Sequence, residues 1–206
     1  VGVHVGQQAH VFAGLRGVEA AYQFAREGLG VGRFLADLVE HGARAELADY
    51  AERALWNHLL ASQNPDDGMV LYYLTLKPGG QKTFMTPFDS FTCCSGTGME
   101  NHARHGVHLY ARDAEGVYVN QFIASELDWA EKGVRLRLDT ELPKSGAVRI
   151  TIGAAAPVTT SLRIRHPHWA PGPLAFAVNG TETLVSPGPG GYADLRREWE
   201  DGDVVT

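Results

Sequence analysis

The hydrophobic period of this 206-residue chain changes once, near ARDAEG at residues 111–116, and that change limits what the chain can fold into. Before it, Leu47, Ala51, Leu55 and Leu59 recur at every fourth position, with Glu46, Asp49, Glu52 and Arg53 mostly off their stripe. That is the pattern of a packed amphipathic helix, and residues 34–40 open a similar run. After the change, VYVNQFIAS (117–125), VRLRLDTEL (134–142), AVRITIGAA (147–155) and TSLRIRHPHWA (160–170) alternate or nearly alternate between turn residues. AFAVNG (175–180) reads as a strand entering a turn, and the closing GDVVT as the opening of a further strand cut short. The expected fold is a set of helices followed by an antiparallel β-sandwich, with the boundary at residues 113–116. Residues 1–33, rich in Gly, Val and Ala, keep neither period and stay unassigned.

Both cysteines of the chain stand side by side in FTCCSGTGMEN (91–101). Neighbouring Cα atoms lie about 3.8 Å apart, below the roughly 4.4–6.8 Å of an ordinary disulfide, so the pair reads as two thiols. Thr97 and Glu100 have the T-x-x-E spacing of a capping box ahead of Met99, Ala103, Val107 and Tyr110, which places the thiols just before a helix N-terminus. Unpaired N–H groups there favour the thiolate, the form that binds metals and attacks electrophilic carbon. Two readings stand: Cys93 and Cys94 carry metal or nucleophile chemistry, or they are small buried hydrophobes. Two thiols are at most half of a zinc site.

The neighbourhood supplies further candidates. His102, His105 and His108 follow in NHARHGVH, but steps of three residues spread their rings over an arc of roughly 120° on an α-helix. His102 is the candidate substrate-binding residue; the other two read as packing or edge histidines. Asp89 and Glu100 could act as ligand, acid or base, or merely cap turns. Phe84, Phe88 and Phe91 could wall a sugar pocket or fill a core.

The net charge of −6 and the mixing of both signs leave no basic face for nucleic acid. No apolar run approaches the roughly 20 residues needed to span a bilayer. With no export signal visible and no pairable cysteines, a cytoplasmic location is expected in preference to secretion.

Several uncommon strings occur together and in order: YYLTLKPGGQKTF, TPFDSFTCCSGTGMENHARHG, GVYVNQFIASELDWAEKGVRLRLDTELP, SLRIRHPHWA, VNG and REWEDGDVV. From residue 34 onward the chain closely resembles glycoside hydrolase family 127, the β-L-arabinofuranosidase-like group. The resemblance implies an α + β multidomain chain. Residues 34–114 would be the C-terminal helices of an (α/α)6 barrel catalytic domain and 115–206 a β-sandwich middle domain. It further implies a retaining exo-glycosidase that releases β-L-arabinofuranose from arabinose-containing glycans, with Cys93 as nucleophile and Cys93 and Cys94 as ligands of Zn2+. The family's third cysteine has no counterpart here, and Glu27 stands near the position of its metal-binding glutamate. The general acid/base has no counterpart either, so little activity is expected of this chain. Loss of both resemblance and period before residue 34 suggests that residues 1–33 are out of frame with residues 34–206. A non-catalytic carbohydrate-binding or scaffold module, and a vicinal-dithiol metal-binding protein, are the alternative readings.

Overall fold

The computed structural model describes residues 43–73, 77–183 and 188–206. Residues 1–33, with Glu27, and the expected helical run at 34–40 lie outside them. Helix α1 (Ala45–Ala54) runs into a π-helical turn (Leu55–Leu59) and a 3-10 turn (Leu60–Ser62). Its expected stripe is inward: Leu47, Ala48, Ala51, Leu55 and Leu59 are buried. A long loop leads to helix α2 (Cys93–Arg104) and a 3-10 turn (His105–His108). The described helices form no barrel by themselves.

All the described strands come after these helices. They are β1 (Tyr110–Arg112), β2 (Gly116–Val119), β3 (Ser125–Trp129), β4 (Val134–Thr140) and β5 (Val148–Ala154), then β6 (Val158–Arg165), β7 (Phe176–Val178), β8 (Thr181–Thr183), β9 (Tyr192–Trp199) and β10 (Val204–Val205). They form a four-stranded sheet, β1-β2-β6-β9, and a six-stranded sheet, β3-β4-β5-β10-β7-β8. The period of two does the work expected of it. Leu136 and Leu138 of β4 lie opposite Ile152 and Ile150 of β5, and all four are buried while Arg135 and Arg137 face water. One apolar core joins these residues to Val117, Val119, Leu162, Ile164, Leu195 and Trp199 of the other sheet. This is the sandwich. At the β7–β8 hairpin, Asn179 (φ 51°) and Gly180 (φ 79°) take the left-handed conformations that a two-residue Asn-Gly turn requires.

Two features differ from expectation. VYVNQFIAS is not one strand: β2 and β3 belong to different sheets, and the chain crosses between them at Asn120 and Gln121. There the Asn120 N–H donates to Leu109 O at 2.9 Å, and Gln121 Nε2 donates to Ala48 O on α1 at 2.9 Å. With β3 gone to the other sheet, one edge of β2 is left for β6, which pairs with it in parallel. The sandwich is therefore mixed rather than wholly antiparallel.

Helix and sandwich are joined by a buried charge. Asp49 and Glu52, expected off the apolar stripe, are buried against Arg165 at the end of β6, which is wholly inaccessible to solvent. Arg165 Nη1 pairs with Asp49, Nη2 lies 2.8 Å from Glu52 Oε1 as a charge contact, and Nε donates to Asn120 O at 2.6 Å. The residues just after β6 complete the arrangement. The His168 N–H donates to Asp49 Oδ1 at 3.2 Å and Trp169 Nε1 to Glu52 Oε2 at 2.6 Å. Arg165→Met should lower the unfolding free energy in urea by roughly 3–5 kcal/mol, because it strands two buried carboxylates. Glu115→Gln, which loosens an exposed pair with Arg163, should change it by less than about 1 kcal/mol. Equal effects of the two substitutions would contradict this account.

Candidate active site

The cysteine pair sits on a short platform built by the loop before α2. Val70 bridges Gln63, Leu71 bridges Phe84, and the Met85 N–H donates to Val70 O at 3.0 Å. Helix α2 packs directly on this platform at Gly98, where an added Cβ would come within 2.8 Å of Val70 Cγ1. The Met85 thioether lies under the first turn, accepting from Ser95 Oγ at 3.0 Å and from Thr92 Oγ1 at 3.4 Å.

Helix α2 begins earlier than the T-x-x-E spacing at Thr97 suggested. Thr92 is the N-cap, extended at φ −119° and ψ 172°, and Ser95 closes the capping box by accepting the Thr92 N–H at 3.3 Å. Thr97 and Glu100 are interior to the helix. Cys93 and Cys94 are thus its first two residues, in the turn whose N–H groups lack intrahelical partners. Of the run Met99, Ala103, Val107 and Tyr110, the first two are exposed on the helix, Val107 is half-buried and Tyr110, already in β1, is buried.

Both thiols are free, Cys93 exposed and Cys94 half-buried. Burial pushes the Cys94 thiol up, and its hydrogen bond with Cys93 and the charge on that neighbour add to the effect; a hydrogen bond with Thr92 opposes them. The helix terminus therefore does not make Cys94 a ready thiolate. Tyr72 is the neighbour that the sequence reading missed. Its phenol is pushed up first by a hydrogen bond with Tyr73, then by the charge of Tyr73, then by that of Cys93, which puts it within electrostatic reach of the pair. The two tyrosine rings meet edge to face at 4.3 Å. They were hidden in an apolar run, and only their adjacency could have marked them.

Phe88 and Phe91 are exposed rather than core, and Phe84 is half-buried. At Asp89 the turn is held by hydroxyls: Thr86 Oγ1 accepts the Asp89 N–H at 3.3 Å and Ser90 Oγ accepts the Thr86 N–H at 2.7 Å. The histidines do not fan out. Beyond Arg104 the helix tightens to 3-10, where residues three apart eclipse, and the rings stack in a row. His102 Nδ1 lies 3.0 Å from His105 Nε2, and the His105 and His108 rings meet edge to face at 6.3 Å. Among the described residues no group of three or more His, Cys, Asp or Glu could hold a metal ion.

Two family models match the chain. The β-L-arabinofuranosidase GH127 catalytic domain matches residues 29–107, and the GH127 middle domain residues 116–206. The chain belongs to glycoside hydrolase family 127. A solved glycoside hydrolase superposes with a TM-score of 0.72 at 27% identity, covering 84% of this chain and 30% of its own. A family 127 β-L-arabinofuranosidase of Geobacillus stearothermophilus T6 gives 0.67 at 22%, covering 84% of this chain and 29% of its own. A further family 127 β-arabinofuranosidase gives 0.66 at 23%, covering 90% and 31%. The chain thus spans about 30% of the length of the solved structures it matches. None of the curated proteins matches it. The thiol pair, His102 and His105 fall inside the catalytic-domain match, His108 lies one residue beyond it, and the strands from β2 onward fall inside the middle-domain match. None of the described helices is long and apolar enough to cross a membrane.

The histidine row has a measurable signature. His108 is buried, neither ring nitrogen has a hydrogen-bond partner among the described residues, and burial followed by the charge on His105 pushes its pKa down to about 4. Between about pH 6.5 and 4 the unfolded chain therefore binds a proton that the folded chain refuses. This contribution to stability is complete above about pH 6.5 and is lost as the pH falls toward 4. From pH 7 to pH 5 the wild type should lose about 2 kcal/mol of stability relative to His108→Phe in urea titrations, whichever of the two is the more stable at pH 7. A difference independent of pH would contradict the assignment.

Proposed function

We propose that this chain carries part of a retaining exo-glycosidase acting on β-L-arabinofuranosides at the ends of arabinose-containing glycans, with Cys93 as its nucleophile. In this reading α1 and α2 are the last helices of a barrel catalytic domain, and the sandwich is the domain after it. The observation that carries it is an exposed thiol at the first position of a capped helix. The Cys93 thiolate attacks the anomeric carbon, and the leaving oxygen departs with the bonding electron pair. A thioglycoside forms on Sγ. Water then attacks the same carbon, the thiolate leaves, and two inversions give net retention. His102, half-buried and sharing a hydrogen bond with His105, is the proposed sugar-binding residue on the same helix.

Zinc belongs to the proposal only as far as its ligands. Thiolates suit it, and Cys93 and Cys94 would supply two of about four. The described residues do not complete that set, so none of the steps above is routed through a metal.

An activated aryl β-L-arabinofuranoside tests the chemistry, because its leaving group departs without a general acid. Intact-mass spectrometry should find one pentosyl unit on the wild-type chain and on Cys94→Ser, mapped to Cys93, and none on Cys93→Ser. A pentosyl unit elsewhere, or none on the wild type, overturns the assignment. Elemental analysis tests the metal. About one zinc per chain, lost in Cys93→Ser/Cys94→Ser, is the expected result; its absence from the folded wild type would remove zinc from the reading.

A further inference from the structure

The residues that anchor α1 to the sandwich also line a groove remote in sequence from the cysteines. A cavity of 360 Å³ lies between the end of α1 and the β2–β3 crossover, lined by Arg53, Trp56, Asn57, Phe122 and Trp169 among others. A second, of 820 Å³, shares Phe122, Leu142 and Trp169 with it and continues along the sandwich past Glu141 and Arg149. Trp169 therefore stands where the two cavities adjoin, and together they make a groove along this side of the molecule. Both volumes are in the range of small-molecule sites.

Two tryptophans in this groove keep much of their surface in water: Trp56 is 41% and Trp169 58% exposed. Trp169 is also fixed. Its Nε1 donates to Glu52 Oε2 at 2.6 Å, and Glu52 is held in turn by the inaccessible Arg165. A tryptophan tied at its nitrogen to a buried carboxylate cannot turn inward, so its apolar face is presented to solvent at a set angle. The bond to Glu52 accounts for the fixed nitrogen of the indole, but it does not require the ring's face to stand in water. A face held in this way has a use in recognition, where pre-ordered aromatics bind at low entropic cost.

The groove's lining identifies the ligand class. A sugar ring has an apolar C–H face, which stacks on indole, and a rim of hydroxyls, which needs both donors and acceptors. Arg53 and Asn57 beside Trp56, and Glu141 and Arg149 beyond Trp169, supply both. The charges along the groove are of both signs, Arg53 and Arg149 against Asp139 and Glu141, which suits a neutral ligand over an anionic or cationic one. We infer that the groove flanked by Trp56 and Trp169 is a second, non-catalytic binding site for a neutral oligosaccharide. The sugar class comes from the lining; choosing an arabinan probe rests on the arabinosidase reading.

Isothermal titration of the full chain with arabinopentaose and with cellopentaose tests this, in a Cys93→Ala background that prevents turnover. Binding should be measurable, and Trp169→Ala should weaken it about tenfold, as expected for truncating an anchoring tryptophan. Trp56→Ala should act in the same direction. Alkylation of Cys93 by iodoacetamide should be unchanged by either tryptophan substitution in the otherwise wild-type chain. Trp-dependent binding of cellopentaose alone would support the groove and count against the arabinan reading. Pentosyl labelling of Cys93 together with Trp-independent binding would uphold that reading and overturn the groove. So would the absence of binding at millimolar sugar by a chain with native near-ultraviolet circular dichroism. A change from dimer to monomer on Trp169→Ala, without a change in sugar affinity, would assign the groove to self-association instead.

Discussion

Much of this architecture turns on one guanidinium. Arg165 is fully enclosed, and the charge it carries must be matched by the groups around it. Those groups come from three places: Asp49 and Glu52 on α1, the carbonyl of Asn120 where the chain crosses between sheets, and the ring of Phe122. Asn120 is secured from the other side by Tyr192 of β9, whose hydroxyl donates to Asn120 Oδ1 at 2.6 Å. One buried cation thus sets where the helix lies, where β2 ends and where β6 stops. Such a pair adds little stability over a well-packed apolar contact of the same volume. What it contributes here is register, since a helix displaced by one residue would leave both carboxylates unmatched.

The parts of the fold that were legible in the sequence are those decided locally. The stripe of Leu47, Ala51, Leu55 and Leu59, and the alternation through β4 and β5, each encode a face, and each face is buried where the period places it. Asp49 and Glu52 were misjudged because a periodicity registers polarity and not a partner more than a hundred positions away. The crossover at Asn120 was invisible for a related reason: a strand that leaves its sheet keeps its alternation, and only a tertiary hydrogen bond to Leu109 marks the break.

At the site the sequence pointed to one cap, Thr97 with Glu100, which fits the usual spacing. The structure caps the helix instead with Thr92 and Ser95, a hydroxyl in place of the carboxylate. The Met85 thioether under Thr92 and Ser95, and the close approach of Gly98 to Val70, favour the earlier start. The histidines show the same limit. Steps of three scatter rings around an α-helix, yet they align once the last turn tightens to 3-10.

The earlier cap changes what the thiols can do. Had the helix begun at Thr97, both cysteines would lie outside it. As its first two residues they share one helix terminus but differ in environment, Cys93 open to solvent and Cys94 half-buried beside it. Burial penalises a thiolate, and a second negative charge on the adjacent sulfur is penalised again, so the pair does not ionise as two equal groups. Burial thereby separates two residues of identical chemistry, and Cys93 is the sulfur left open to a reagent arriving from solvent.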